Sequence, residues 1–247
     1  VKLRVEPGPA AVAAWVAAAL LEALDAGTLL GLATGCTMEP VYAALADRWA
    51  ALPARDRARL ARRWRSFNLD EYVGLAPADP RSFHAFMDRH LVSPLGLAAA
   101  RVRLPDGAAA APQAEADRYG AELAADGGVG LQILGLGLNG HVGFNEPPCG
   151  PEAPCRCLDL SPATRRQNAA AFGGDPGAVP AQAITLGMAE ILAAERILLV
   201  VTGPAKAGIL RRVLLERPSA ELPASWLQSH PAATVVADRA AASWLES

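Results

Sequence analysis

Two spacings of apolar residues alternate along this chain, and that alternation constrains its fold more than any other feature. Apolar residues recur every three or four positions over 10–25, 38–50, 82–91, 113–125, 161–170 and 206–215. Between these segments lie short, nearly continuous apolar runs at 28–32, 64–69, 130–134, 196–201 and 234–237. The first spacing is that of an amphipathic helix, and the second suits strands buried on both faces. Their alternation predicts an α/β fold: a Rossmann-like, doubly wound, mostly parallel sheet with helices on both faces. The chain has 247 residues and no visible internal repeat, and its Pro- and Gly-rich stretches, 147–154 and 173–180, are loop-sized. It therefore reads as a single domain spanning 1–247.

Composition removes several classes of function. Hydrophobic residues make up 52% of the chain, ample for a buried core, and the formal charge of -2 calls for neither nucleic acid nor an anionic membrane as partner. No apolar run approaches the roughly 18 residues of a spanning helix. Residues 1–10 lack the apolar stretch of a signal peptide, so a cytoplasmic location is expected. Four cysteines do not make a disulfide scaffold. Cys149, Cys155 and Cys157 match no common zinc spacing and read as loop residues. The arginine-dense stretch 55–65 reads as a solvated helix face. Nothing here sets the oligomeric state, and a homo-oligomer stays open.

In a doubly wound sheet, ligands bind beyond the carboxyl ends of the strands. The residues just past each predicted strand are therefore informative. After the first stands Ala33-Thr34-Gly35-Cys36-Thr37; after the second, Asp70-Glu71-Tyr72. After the third comes Gly135-Leu136-Gly137-Leu138-Asn139-Gly140-His141, and after the fourth Thr202-Gly203-Pro204-Ala205-Lys206. The chemically useful side chains thus gather at one predicted rim.

Thr34, Gly35, Cys36 and Thr37 join a strand to a helix, where close backbone approach, hydroxyl donors and the helix N-terminus suit an anion. The turn lacks the spacing of a nucleotide P-loop, and such a turn is also compatible with an ordinary strand–helix connection. Lys206 opens the helix after another strand. The chain has two lysines against 21 arginines, which singles out the retained Lys206 as a phosphate contact.

Asp70 and Glu71 leave the end of a buried strand in different directions, so different jobs are expected of them. A partly desolvated carboxylate there suits proton transfer between neighbouring carbons, because burial raises its pKa. Four of the nine residues 135–143 are glycine, which implies unusual backbone angles or close packing against a ligand. His141 lies among them, near Asn139 and followed by Glu146. A histidine with a carboxylate partner is a general acid/base pair. His84, His90 and His230 have no such setting and read as structural.

At these residues the sequence resembles the glucosamine-6-phosphate deaminase family, within the larger group that holds 6-phosphogluconolactonases. The matching pieces are Leu32-Ala33-Thr34-Gly35-Cys36-Thr37, Ser66-Phe67-Asn68-Leu69-Asp70-Glu71-Tyr72-Val73-Gly74-Leu75, Ser82-Phe83-His84-Ala85-Phe86-Met87, the stretch 137–147, Ala183-Ile184-Thr185-Leu186-Gly187 and 203–207. The lactonase branch carries DGHTASLFP where NGHVGFNEP stands here, and so matches less well. The resemblance implies an isomerising, ammonia-releasing enzyme of amino sugar metabolism acting on glucosamine 6-phosphate. His141, oriented by Glu146 and assisted by Asn139, would open the sugar ring. Asp70 would move a proton between C2 and C1. Thr34, Gly35, Cys36, Thr37, Gly137 and Lys206 would hold substrate and phosphate. No metal or organic cofactor is implied.

Three departures from the family pattern stand out. Asn139 occupies a position where many members carry Asp, so His141 is expected to have a lower pKa than in those relatives. Ala170 stands about where a phosphate-binding arginine is expected, with Arg165 and Arg166 as substitutes. Leu158 replaces a lysine that helps regulated members bind an N-acetylated sugar phosphate, so no such regulation is expected. Galactosamine-6-phosphate deaminase/isomerase and 6-phosphogluconolactonase remain the alternative activities, and a non-catalytic sugar-phosphate sensor the alternative class.

Overall fold

The computed structural model describes residues 1–245. Among them, ten strands divide between two sheets. Seven form a parallel sheet: β1 (Lys2–Glu6), β2 (Leu30–Leu32), β3 (Ser66–Asn68), β5 (Val102–Arg103), β6 (Leu131–Gly135), β9 (Arg196–Val201) and β10 (Ala233–Asp238), in the order β1-β10-β9-β6-β2-β3-β5. Three more, β4 (Asp70–Tyr72), β7 (Arg156–Asp159) and β8 (Gln182–Thr185), pair antiparallel in the order β4-β8-β7.

The large sheet and its helices follow the apolar spacing. All three residues of β2 are buried, as are the last five of β9, because helices cover both faces. The first helix, α1 (Pro9–Asp25), starts with a proline at its first position and buries Val12, Ala13, Val16, Ala17, Leu20, Ala23 and Leu24 along one face. It packs against α2 (Glu39–Ala51) and β10. The arginine-dense segment is α3 (Ala54–Arg63), with only Leu60 buried and Arg59 paired with Asp25. The remaining helices are α4 (Phe83–Met87), α5 (Ser93–Leu95), α6 (Pro112–Ala125), α7 (Pro162–Asn168), α8 (Met188–Leu192), α9 (Ala207–Leu215) and α10 (Arg239–Ala242).

The small sheet departs from the sequence expectation. The apolar run 64–69 reads as one strand, but the chain changes sheet inside it. β3 ends at Asn68, and Leu69 bridges the two sheets: its N–H donates to Leu32 O (2.9 Å), and its carbonyl accepts from Leu186 N–H (2.7 Å). Asp70 then opens β4 directly opposite Thr185. The edge strand β1 also escapes an apolar-run criterion, because charged and apolar residues alternate along it and it is mostly exposed.

Strand order reverses beside β2. From β2 the chain builds outward through β3 and β5, then returns to the other side of β2 with β6 and β9. The crevice at that reversal is the expected ligand position. The four loops singled out by sequence come after β2, β3, β6 and β9, which are four neighbouring strands. At an ordinary inter-strand spacing they span about 15 Å. Among the described residues, no helix is long and apolar enough to cross a membrane.

Candidate active site

Asp70 and Glu71 are adjacent and buried, yet their surroundings are opposite. Glu71 is fully buried and accepts four N–H groups at 2.9 Å, from the backbones of Tyr72, Phe83 and His84 and from His84 Nδ1. It anchors the start of α4, whose first turn is also capped by Ser82. Asp70 is 6% exposed and forms no side-chain hydrogen bond among the described residues. Burial pushes its carboxyl up to about 8, and the neighbouring charge of Glu71 adds to the rise. One carboxylate is therefore a structural anchor, and the other is left unpaired with a raised affinity for a proton.

The loop after β6 seats His141 with two devices. Asn139 Oδ1 accepts from the His141 backbone N–H (3.2 Å) and contacts the imidazole Nδ1 at 2.5 Å. A backbone N–H can only donate, so the amide oxygen faces the ring and Nδ1 carries the proton. The lone pair is left on Nε2. Behind the ring lies Gly137: a Cβ there would stand 2.3 Å from imidazole atoms. Only glycine allows that approach. Desolvation lowers the His141 pKa, and Lys206 lowers it further, against the opposing charge of Glu146. The shift favours the neutral ring.

Two expected roles change here. Among the described residues, Glu146 forms no hydrogen bond with His141. Its carboxylate instead accepts from Ser161 N–H (3.0 Å), Ser161 Oγ (2.8 Å) and Thr164 Oγ1, at the start of α7. The residue that orients the imidazole is Asn139, and Glu146 acts on the ring only through its charge. Gly137, expected among the substrate and phosphate contacts, packs against the ring, and its backbone N–H donates to His141 O (2.9 Å).

Gly143 brings the loop after β6 against the strand that carries Asp70. Its backbone, at φ +57°, passes so close to β4 and β8 that a Cβ would lie 3.3 Å from Asp70 Oδ2 and 3.1 Å from Thr185 Oγ1. Asp70 thus faces the loop that carries His141 two residues earlier.

The anion-binding candidates line the same rim. Gly35 turns the chain at φ +96°, and its carbonyl accepts Met38 N–H (2.8 Å) just before α2. Gly35 and Cys36 are exposed, with Thr34 and Thr37 half-buried. Lys206 is half-buried, donates from Nζ to Leu136 O (2.6 Å), and has its pKa lowered by desolvation. Its charge also bears on His141. Of the two substitute arginines, Arg165 is engaged with Val179 O (3.1 Å) and Gly177 O (3.0 Å). Arg166 is exposed and, among the described residues, makes no side-chain hydrogen bond or ion pair. A groove of about 420 Å³ adjoins Glu146 and is lined in part by Arg156, Leu158, Asp159 and Ser161. Cys149 and Cys155 are buried. Among the described residues, no group of three His, Cys, Asp or Glu side chains is placed to hold a metal ion.

Sequence reasoning assigns no role to Asn145 or Thr185, which fasten the His141 loop. Asn145 Nδ2 donates to Val142 O (3.1 Å) and Leu186 O (2.9 Å). Thr185 Oγ1 accepts from Phe144 N–H (3.3 Å). The one available signal is their presence inside the matched stretches, but their partners are visible only in the fold.

Comparison with known proteins places the chain among its relatives. The chain is 41% identical over 216 residues to a glucosamine-6-phosphate deaminase of Geobacillus sp. (strain WCH70), covering 87% of this chain and 84% of that one. It is 39% identical over 248 residues to a glucosamine-6-phosphate deaminase of Rhodopirellula baltica, covering 100% and 96%. A solved structure of a monomeric glucosamine-6-phosphate deaminase superposes with a TM-score of 0.90 at 32% identity, over 99% of this chain and 100% of that one. The family model for glucosamine-6-phosphate isomerases/6-phosphogluconolactonase matches residues 8–236, and with these relatives beside it the chain belongs to that family.

Proposed function

We propose that this protein is a glucosamine-6-phosphate deaminase, converting glucosamine 6-phosphate and water to fructose 6-phosphate and ammonia. The observation that carries the reading is the meeting, beside Gly143, of an unpaired buried Asp70 with the loop holding a neutral His141.

In this mechanism Nε2 of His141 takes the proton of the C1 hydroxyl and returns one to the ring oxygen, opening the sugar. The C1 aldehyde then acidifies the C2 proton. Asp70 removes that proton while the substrate's ammonium group gives one to the C1 oxygen, forming an enolamine; Asp70 then delivers its proton to C1, leaving an iminium at C2. Water adds at C2, the C2–N bond breaks, and ammonia leaves. The aldehyde supplies the electron sink, so the step calls for no metal or organic cofactor. Thr34, Gly35, Cys36, Thr37 and Lys206 hold the phosphate, and Arg166 is the arginine free to join them. Leu158 on the wall of the adjoining groove supports an enzyme that N-acetylglucosamine 6-phosphate does not activate.

The test supplies glucosamine 6-phosphate, its galacto epimer and 6-phosphogluconolactone separately, monitoring ammonia and lactone loss. Ammonia release fastest from the gluco substrate is expected. Faster release from the galacto epimer would reassign the substrate, and lactone hydrolysis without ammonia release would overturn the reading. Tight binding without turnover of any of the three would make the protein a sensor.

A further inference from the structure

We propose that Asn145 and Thr185 are positioning residues, forming a clasp that sets the spacing between the imidazole of His141 and the carboxylate of Asp70; the inference rests on the deaminase reading. Thr185 is fully buried and is the direct cross-strand partner of Asp70 in the β4–β8 ladder. Its hydroxyl donates to Leu186 O (3.1 Å) and accepts from Phe144 N–H (3.3 Å). The strand opposite the base thereby holds the loop that carries the histidine.

Asn145 makes the second half of the clasp. It too is fully buried, and its amide donates to carbonyls on both sides of the junction, Val142 O and Leu186 O. Its Oδ1 accepts from Arg156 Nη1 (2.9 Å), a residue of β7. That contact fixes which end of the amide is the oxygen. Leu186 N–H closes the circuit by donating to Leu69 O, the carbonyl immediately before Asp70. The loop is therefore referenced to the segment bearing the base through two buried side chains. Breaking either one leaves buried groups unpaired, the Phe144 N–H in one case and the Val142 and Leu186 carbonyls in the other, and favours rearrangement of the loop. A displacement on the order of 1 Å is enough to cost roughly 100-fold in rate.

The experiment compares Thr185→Val, Thr185→Ser and Asn145→Asp with the wild-type chain, measuring kcat, KM and hydrogen exchange at the Phe144 amide. Thr185→Val should lower kcat roughly 10- to 100-fold while leaving KM within about twofold, because the phosphate contacts lie on other loops. The Phe144 amide should exchange faster, and Thr185→Ser, which restores the hydroxyl, should recover most of both losses. Asn145→Asp should act in the same direction. Wild-type kcat in Thr185→Val, a serine variant no better than the valine one, or unchanged exchange at Phe144 would overturn the clasp. A wild-type chain that releases no ammonia would overturn the deaminase reading instead, and exchange at Phe144 would still decide whether Thr185 holds the loop.

Discussion

Asp70 and Glu71 are covalent neighbours, yet four N–H donors surround one carboxylate and, among the described residues, none reaches the other. The difference sets both pH behaviour and stability. As the free protein's base, Asp70 must be ionised, so kcat/KM should rise with pH through about 8. The substrate's ammonium group favours the ionised form, so the corresponding limb of kcat should lie at lower pH; a pH profile of each constant checks the pair. A carboxyl with a raised folded-state pKa binds its proton where the unfolded chain has lost it. Stability therefore falls as pH rises from 3.8 through about 8. Replacing Asp70 by Asn removes that penalty. The variant should lose turnover, retain sugar-phosphate binding, and melt at least about 3 °C higher than wild type at pH 9 but not near pH 4. Asn139→Asp places a negative charge against the Nδ1–H of His141 and should raise the imidazole pKa by roughly one unit, readable by proton NMR titration. The residues themselves are legible in the sequence: His141 stands out among glycines, and Asp70 at a strand end. Their partners are not. Spacing suggests Glu146 as the partner of His141, but it meets Ser161 and Thr164 across 15 and 18 residues of loop and strand whose path spacing does not fix.

At the scale of elements, the central strands and long helices are legible because burial on both faces, or on one stripe, leaves a local pattern. The apolar run of β9 matches the strand to the residue. The strands that escape owe their structure to partners far along the chain. β1 is an exposed edge that pairs with β10, and β5 has two residues. β4, β7 and β8 have three or four residues each and gain definition only from one another. The glycine-rich stretch after β6 is legible as a place of close packing, but what packs there shows only in the fold. Glycine at 137 leaves room for the imidazole, which a Cβ there would overlap. Gly137→Ala should push the ring off Asn139 and lower kcat at least about 10-fold, with the imidazole NMR signal shifted and the melting temperature little changed. An unmoved ring signal would contradict that account.

For the whole molecule, one architectural fact organises the chemistry. The turn after β2 and the lysine after β9 belong to the large parallel sheet, whereas Asp70 belongs to the small antiparallel one and the His141 loop is fastened to it. Removing Lys206 should therefore raise KM by roughly 10-fold while changing kcat little, as for a contact made alike in ground and transition states; steady-state kinetics of Lys206→Ala tests this, and equal damage to kcat would contradict it. The chain crosses between the two sheets at Leu69 alone on its way from β3 to β4. In the proposed reaction the phosphate contacts thus lie on loops of the large sheet and the base on the small one, with Leu69 the single residue between β3 and β4. In that proposed reaction, a change within the small sheet reaches the base while leaving the turn after β2 and the lysine after β9 where they are.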